Sequence, residues 1–193
     1  MRIIGLTGSV GMGKSTAAAM LRAMGVPVFD ADAVVHRALG RSGEAVGAVE
    51  AVFPGVSESG GINRRALGAR VLGDRAALRR LEKILHPIVG REERRFIARA
   101  RAARRRHVVL DVPLLFETGG YRRCDLVIVV WAPPFLQRAR VLARPGMTAA
   151  RLAFLRTQQT SDQEKRRRAD ILIPSGLGRA VTWRRLHRAI AQS

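Results

Sequence analysis

Residues 8–15 read G-S-V-G-M-G-K-S, and no other stretch narrows the possible folds as far. The run satisfies G-x-x-x-x-G-K-[ST] in full, with an apolar strand-like segment before it and a helical pattern after it. Gly8, Gly11 and Gly13 let the main chain turn tightly and approach phosphate oxygens. Successive N–H groups, Met12 included, and the following helix N-terminus then face an anion. Lys14 has the length to reach β- and γ-phosphates, the Ser15 hydroxyl suits Mg²⁺, and Thr16 falls at the α-phosphate. The loop specifies phosphate binding without specifying the reaction.

A strand–loop–helix of this kind belongs to an α/β layered fold. Short apolar runs at 2–7, 26–30, 107–112, 125–131 and 170–173 read as five strands. Each is apolar on both faces, as buried parallel strands are, and helical patterns separate them. The expected fold is the three-layer P-loop NTPase class with a five-stranded parallel sheet. The first helix is expected from Lys14 to Met24, stopping at Gly25.

Two insertions interrupt the alternation. Residues 33–105 are too long for one crossover helix, and their breaks at Gly43, Pro54–Gly55 and Gly60–Gly61 predict a helical subdomain. Residues 134–165 are polar and arginine-rich, with Thr148 as an N-cap for a helix over 149–160, and read as a lid. The core then comprises 1–32, 106–133 and 166–193, within one kinase-type domain.

The formal net charge is +20, yet only three of the 35 basic residues are lysines (Lys14, Lys83 and Lys165) and aromatics make up 5%. So few stacking groups argue against specific nucleic-acid binding, and a positive surface suits a substrate with several phosphates. A nucleic-acid-stimulated ATPase is the reading from a different class. Cys124 is the only cysteine, which leaves no intramolecular disulfide and no cysteine-rich zinc site. The longest apolar run, Leu126 to Ala132, is too short to span a bilayer, and MRIIGLTGS lacks a leader's apolar region. The expectation is a soluble cytoplasmic protein, with no membrane partner, acting as a monomer or weak homo-oligomer.

Three further positions bear on the chemistry. Asp32 follows the second strand, where a carboxylate orients and deprotonates an attacking hydroxyl, or caps the helix 33–39. Asp111 closes the third strand in the Walker-B position, from which it assists Mg²⁺ through water, and is counted here among the substrate-side groups. Glu117 is expected to cap or pair locally. His86-Pro87 falls within a helical pattern, where proline predicts a kink or an end at His86.

These segments together resemble the dephospho-coenzyme A kinases. GLTGSVGMGKST (5–16) looks like the family's nucleotide loop, and VFDAD (28–32) with His36 like its second-strand motif. Leu85-His86-Pro87, DVPLLFE (111–117), and Arg156 to Gln159 followed by Lys165 and Ala169-Asp170 are similar to further family elements in the same order. The resemblance implies transfer of a phosphoryl group from ATP, with Mg²⁺, to the ribose 3′-hydroxyl of dephospho-CoA. It implies Asp32 as base or orienting carboxylate, His86 in the CoA-binding subdomain, and Arg140 and Arg144 meeting ATP from the lid. The family's asparagine in I-D-N-x-G is absent, since the chain reads Ile173-Pro174-Ser175-Gly176. Another P-loop small-molecule or nucleotide kinase is the alternative.

Overall fold

The computed structural model describes all 193 residues. Five parallel strands form the main sheet: β1 (Arg2–Thr7), β2 (Val28–Asp30), β5 (His107–Asp111), β6 (Leu126–Trp131) and β7 (Ile171–Pro174), in the order β2-β5-β1-β6-β7. Ile4 pairs with Val109 on one side of β1 and with Leu126 on the other, so β1 is central. The five strands match the apolar runs in the sequence to within two residues at each end.

The strands are apolar throughout because both sheet faces are covered. On β6, Ile128 and Val130 join Ile4, Leu6, Leu21 and Leu186 in one core. Val127 and Val129 point the opposite way, against Leu115 and Phe116. The first core lies against α1 (Lys14–Ala23) and α9 (Arg179–Ala191). Each fully buried Ile or Leu contributes about 1.5–3 kcal/mol relative to exposure. Two strand starts carry aspartates that replace missing main-chain acceptors: Ile3 N–H donates to Asp125 Oδ2 at 2.6 Å and Val127 N–H to Asp170 Oδ2 at 2.7 Å. The Ala169-Asp170 element therefore has a structural role in the sheet.

The chain divides into two compact units, Met1–Phe29 with Ala100–Ser193, and Asp30–Arg99. The second contains α2 (Ala31–Ala38), α3 (Val46–Val52), α4 (Arg64–Val71) and most of α5 (Arg75–Ala102). It also contains a hairpin of two-residue strands, β3 (Ser57–Glu58) and β4 (Gly61–Ile62), which follows the break expected at Pro54–Gly55 and turns at the one expected at Gly60–Gly61. Glu50 knits the approach to this hairpin by accepting the N–H groups of Gly55, Val56 and Ser57. These bonds hold its carboxyl below the ordinary carboxylate value.

α5 does not end at His86. It runs on through Pro87 to Ala102, although an interior proline costs about 3 kcal/mol. Leu81, Leu85 and Ile88 are buried along one side of the helix and keep it in place. Pro87 is exposed, as is Lys83, whose carbonyl the missing N–H would have met.

The remaining elements belong to the first unit: a short 3₁₀ turn at Gly120–Arg123, α6 (Pro134–Leu142), α7 (Ala149–Thr157) and α8 (Asp162–Arg167). Thr148 caps α7 as expected, accepting Arg151 N–H at 3.1 Å. The helix stops at Thr157, three residues earlier than expected, and Ser161 starts a new one. No helix is long and apolar enough to cross a membrane.

Candidate active site

The phosphate loop joins β1 to α1 at the carboxyl ends of the strands, where ligands of open parallel sheets bind. Gly8 is required by packing as much as by phosphate: a Cβ there would lie 2.5 Å from the carbonyl oxygen of Val130 on β6. Gly13 takes φ 90°, a left-handed conformation that side chains disfavour, and turns the main chain into α1. Met12 turns its side chain inward, 2% exposed, and its Sδ accepts Ala132 N–H at 3.0 Å. Only its main chain remains for a nucleotide. Ser15 and Thr16 are exposed at the start of α1.

Lys14 Nζ lies 2.5 Å from Oδ1 of Asp111, which is 4% exposed at the end of β5. The Walker-B position is thus filled by a carboxylate that meets the loop lysine directly. Arg140 on α6 is also anchored: Nη1 donates to Ser175 Oγ and Nη2 to Ser175 O, both at 2.8 Å. Ser175 Oγ in turn donates to Met12 O at 2.6 Å. Ser175 therefore ties β7, α6 and the phosphate loop together. Beside it opens a cleft of about 290 Å³ lined by Gly13, Thr16, Arg140, Arg144, Ser175 and Arg179. Arg144 is exposed at its rim.

A second set of contacts reaches the front of the loop from behind. Ser9 Oγ donates to Asp162 Oδ1 at 2.5 Å and accepts from Lys165 Nζ at 3.3 Å. Lys165 pairs with Glu117 Oε1 at 3.1 Å, and the same oxygen accepts Thr160 N–H at 2.7 Å. Glu117 therefore does not pair locally. Lost hydration pushes its carboxyl up, but main-chain N–H groups of Glu117 and Thr160 and the Lys165 ammonium outweigh this and hold it below the ordinary value. Val10 is held on both sides, its N–H by Gln159 Oε1 at 3.3 Å and its carbonyl by Gln137 Nε2 at 2.9 Å. The motif letters Gln159 and Lys165 were legible in the sequence, but not their destination.

The first unit thus brings together Gly8, Gly11, Met12, Gly13, Lys14, Ser15, Thr16, Asp111, Arg140 and Arg144. Asp32 and His86 belong to the second unit. Capping of α2 falls to Asp30, whose carboxylate accepts Ala33 N–H at 2.9 Å. Asp32 is exposed in the first turn of the helix and does not cap it. His86 is exposed on α5. Arg64 Nη1 lies 2.5 Å from His36 Nδ1 within the second unit.

The hard oxygen donors Ser15 and Asp111 beside the phosphate cradle fit a hydrated Mg²⁺ shared with phosphate oxygens. No group of three or more His, Cys, Asp or Glu is arranged to hold a metal by protein ligands alone.

A lysine- and serine-bearing phosphate cradle at this edge of a parallel sheet, with arginines flanking the adjoining cleft, defines a P-loop phosphotransferase. The sequence model of CoaE, dephospho-CoA kinase, matches residues 2–177. A dephospho-CoA kinase of Paramagnetospirillum magneticum is 64% identical over 166 residues, covering 86% of this chain and 78% of that protein. The Rhizobium meliloti enzyme of the same name is 50% identical over 190 residues, covering 98% and 96%. Among solved structures, TT1252 from Thermus thermophilus superposes with a TM-score of 0.84 at 34% identity, covering 99% of this chain and 96% of that one. The dephospho-CoA kinase of Campylobacter jejuni, at 21% identity and a TM-score of 0.66, shares the fold, with 99% and 96% covered. The chain belongs to the dephospho-CoA kinase family.

Proposed function

We propose that this chain phosphorylates the ribose 3′-hydroxyl of dephospho-CoA with ATP, giving CoA and ADP, and that the reaction uses Mg²⁺. The observation that carries the reading is the family match across residues 2–177, which spans the phosphate loop and the helical insertion alike. The first unit supplies the donor half. Loop N–H groups receive the phosphates, and Lys14 exchanges its Asp111 partner for a β- or γ-phosphate oxygen. That exchange releases Asp111 from the lysine. Ser15 and Asp111 would hold Mg²⁺, which would supply charge neutralisation at the phosphate oxygens. Arg140 and Arg144 add positive charge along the cleft.

Asp32 is the acceptor-side carboxylate in this reading. It orients the 3′-hydroxyl and takes its proton as the new O–P bond forms and the bond to the β-phosphate oxygen breaks, with ADP leaving. The assignment is supported by Asp30 taking the capping role, which leaves Asp32 available. His86 and the rest of 33–105 bind the acceptor, and 134–165 close as a lid. Phosphoryl transfer draws mostly on positioning and charge stabilisation, and these groups offer both. The protein acts in the cytoplasm as a monomer or weak homo-oligomer. ADP release coupled to a reporter, measured with dephospho-CoA against a panel of nucleoside, shikimate and sugar acceptors, tests the reading. Turnover that prefers another acceptor refutes it.

A further inference from the structure

Lys165 is 1% exposed and sits inside a kinase core, where an ammonium is a costly way to fill space. Its partners explain its presence. Glu117 balances its charge at 3.1 Å, and the ammonium also donates to the hydroxyl of Ser9, the first variable residue of the phosphate loop. Ser9 is itself 6% exposed and held from a second direction by Asp162. Its neighbour Val10 is held at both its N–H and its carbonyl by Gln159 and Gln137. Four side chains from beyond residue 136 therefore fix two successive residues at the front of the loop. The loop's other end is fixed by the α1 helix it opens and by Ser175.

We propose that Lys165 is a positioning residue for phosphoryl transfer. With Glu117 and Asp162 it holds Ser9, and through Ser9 it holds the peptide planes of residues 8–11 in the orientation that the transferring phosphoryl group needs. None of the three side chains has to touch the substrate. A loop released from this clamp still offers N–H groups to a ground-state diphosphate, which tolerates displacement. The transition state tolerates it poorly, since a shift of about 1 Å remote from the chemistry costs on the order of 100-fold in rate.

The proposal rests on residues 8–16 being the phosphate site, and wild-type turnover and ADP binding, run in parallel, test that premise separately. Two variants carry the experiment. In Lys165→Met with Glu117→Gln both charges go together, so no buried ion is left unpaired. Ser9→Ala removes the hydroxyl and leaves both ions in place. For each, kcat, KM for ATP, thermal unfolding and the Kd of a fluorescent ADP analogue are measured. The expected result is kcat lowered about 10- to 100-fold in both, with ADP affinity changed less than about threefold. Turnover per folded molecule within about threefold of wild type in either variant overturns the proposal, because the cluster then serves stability alone. Loss of ADP affinity in proportion to kcat also overturns it, because the contacts then serve ground-state binding.

Discussion

Replacing Asp111 with asparagine separates the two partners of Lys14. In the structure its ammonium lies 2.5 Å from the Asp111 carboxylate, and the two side chains, taken without their main chains, are 14% and 5% exposed. At an effective dielectric of about 20, the Coulomb attraction at this distance is on the order of 6 kcal/mol. Desolvation offsets part of it, and removing one partner of such a pair costs about 3–5 kcal/mol. Asparagine still accepts a hydrogen bond, so about 3 kcal/mol is the expected loss. For a domain of this size that lowers Tm by about 6–12 °C. A nucleotide phosphate competes with Asp111 for the same ammonium. The variant has no such competitor, so ADP without Mg²⁺ should stabilise it more than it stabilises the wild type. Each 1.4 kcal/mol of the difference appears as about tenfold in the dissociation constant. Thermal melts with and without ADP in EDTA, joined to an ADP titration, measure both quantities. Turnover with Mg²⁺ should fall, since the carboxylate proposed to serve the metal is gone. If the free variant melts within about 1 °C of wild type, or if ADP stabilises both proteins equally, the exchange of Lys14 between carboxylate and phosphate is wrong.

Asp32→Asn should lower kcat by about 100-fold or more with ATP affinity nearly unchanged, and a collapse of ATP affinity at normal turnover would remove the base assignment. Gly13→Ala forces a side chain into φ 90° with its Cβ 3.0 Å from Ser175 Oγ, so it should cost about 2 kcal/mol and weaken ADP binding at least tenfold, read by melts and titration. Glu117 has a depressed folded pKa, so its stabilising contribution is fully present above the ordinary value of 4.5 and disappears as pH falls below it. The Tm gap between wild type and Glu117→Gln should therefore narrow as the pH falls below 4.5, and a gap that stays constant down to pH 3 contradicts the ion pair with Lys165.

Local features were readable because their causes are local. The phosphate loop is contiguous, its glycines follow from main-chain geometry, and five runs apolar on both faces name five buried strands. Thr148 announces α7 in the same way. Pro87 misled because the rule for proline concerns one hydrogen bond, whereas α5 is held by Leu81, Leu85 and Ile88 along its length. The β3–β4 hairpin is too short to show a period. Asp30 and Asp32 are chemically alike, and only the bond to Ala33 N–H tells which of them caps. The clamp on Ser9 had no sequence signal beyond its letters, since Asp162 is 153 residues away. Glu117 reads as a local partner until Lys165 and Thr160 arrive from across the sheet.

The central position of β1 has a consequence for the order of folding during synthesis. The strand that launches the phosphate loop leaves the ribosome well before its neighbours β5 and β6, which emerge more than half a chain later. Lys14 waits for Asp111, 97 residues on, and Ser9 for Asp162. Closing spans of this length precedes any reward from the contacts, which favours late, cooperative assembly over growth from the N-terminus. ATP therefore has no completed cradle to bind on a nascent chain, and truncated products arise without a working nucleotide site.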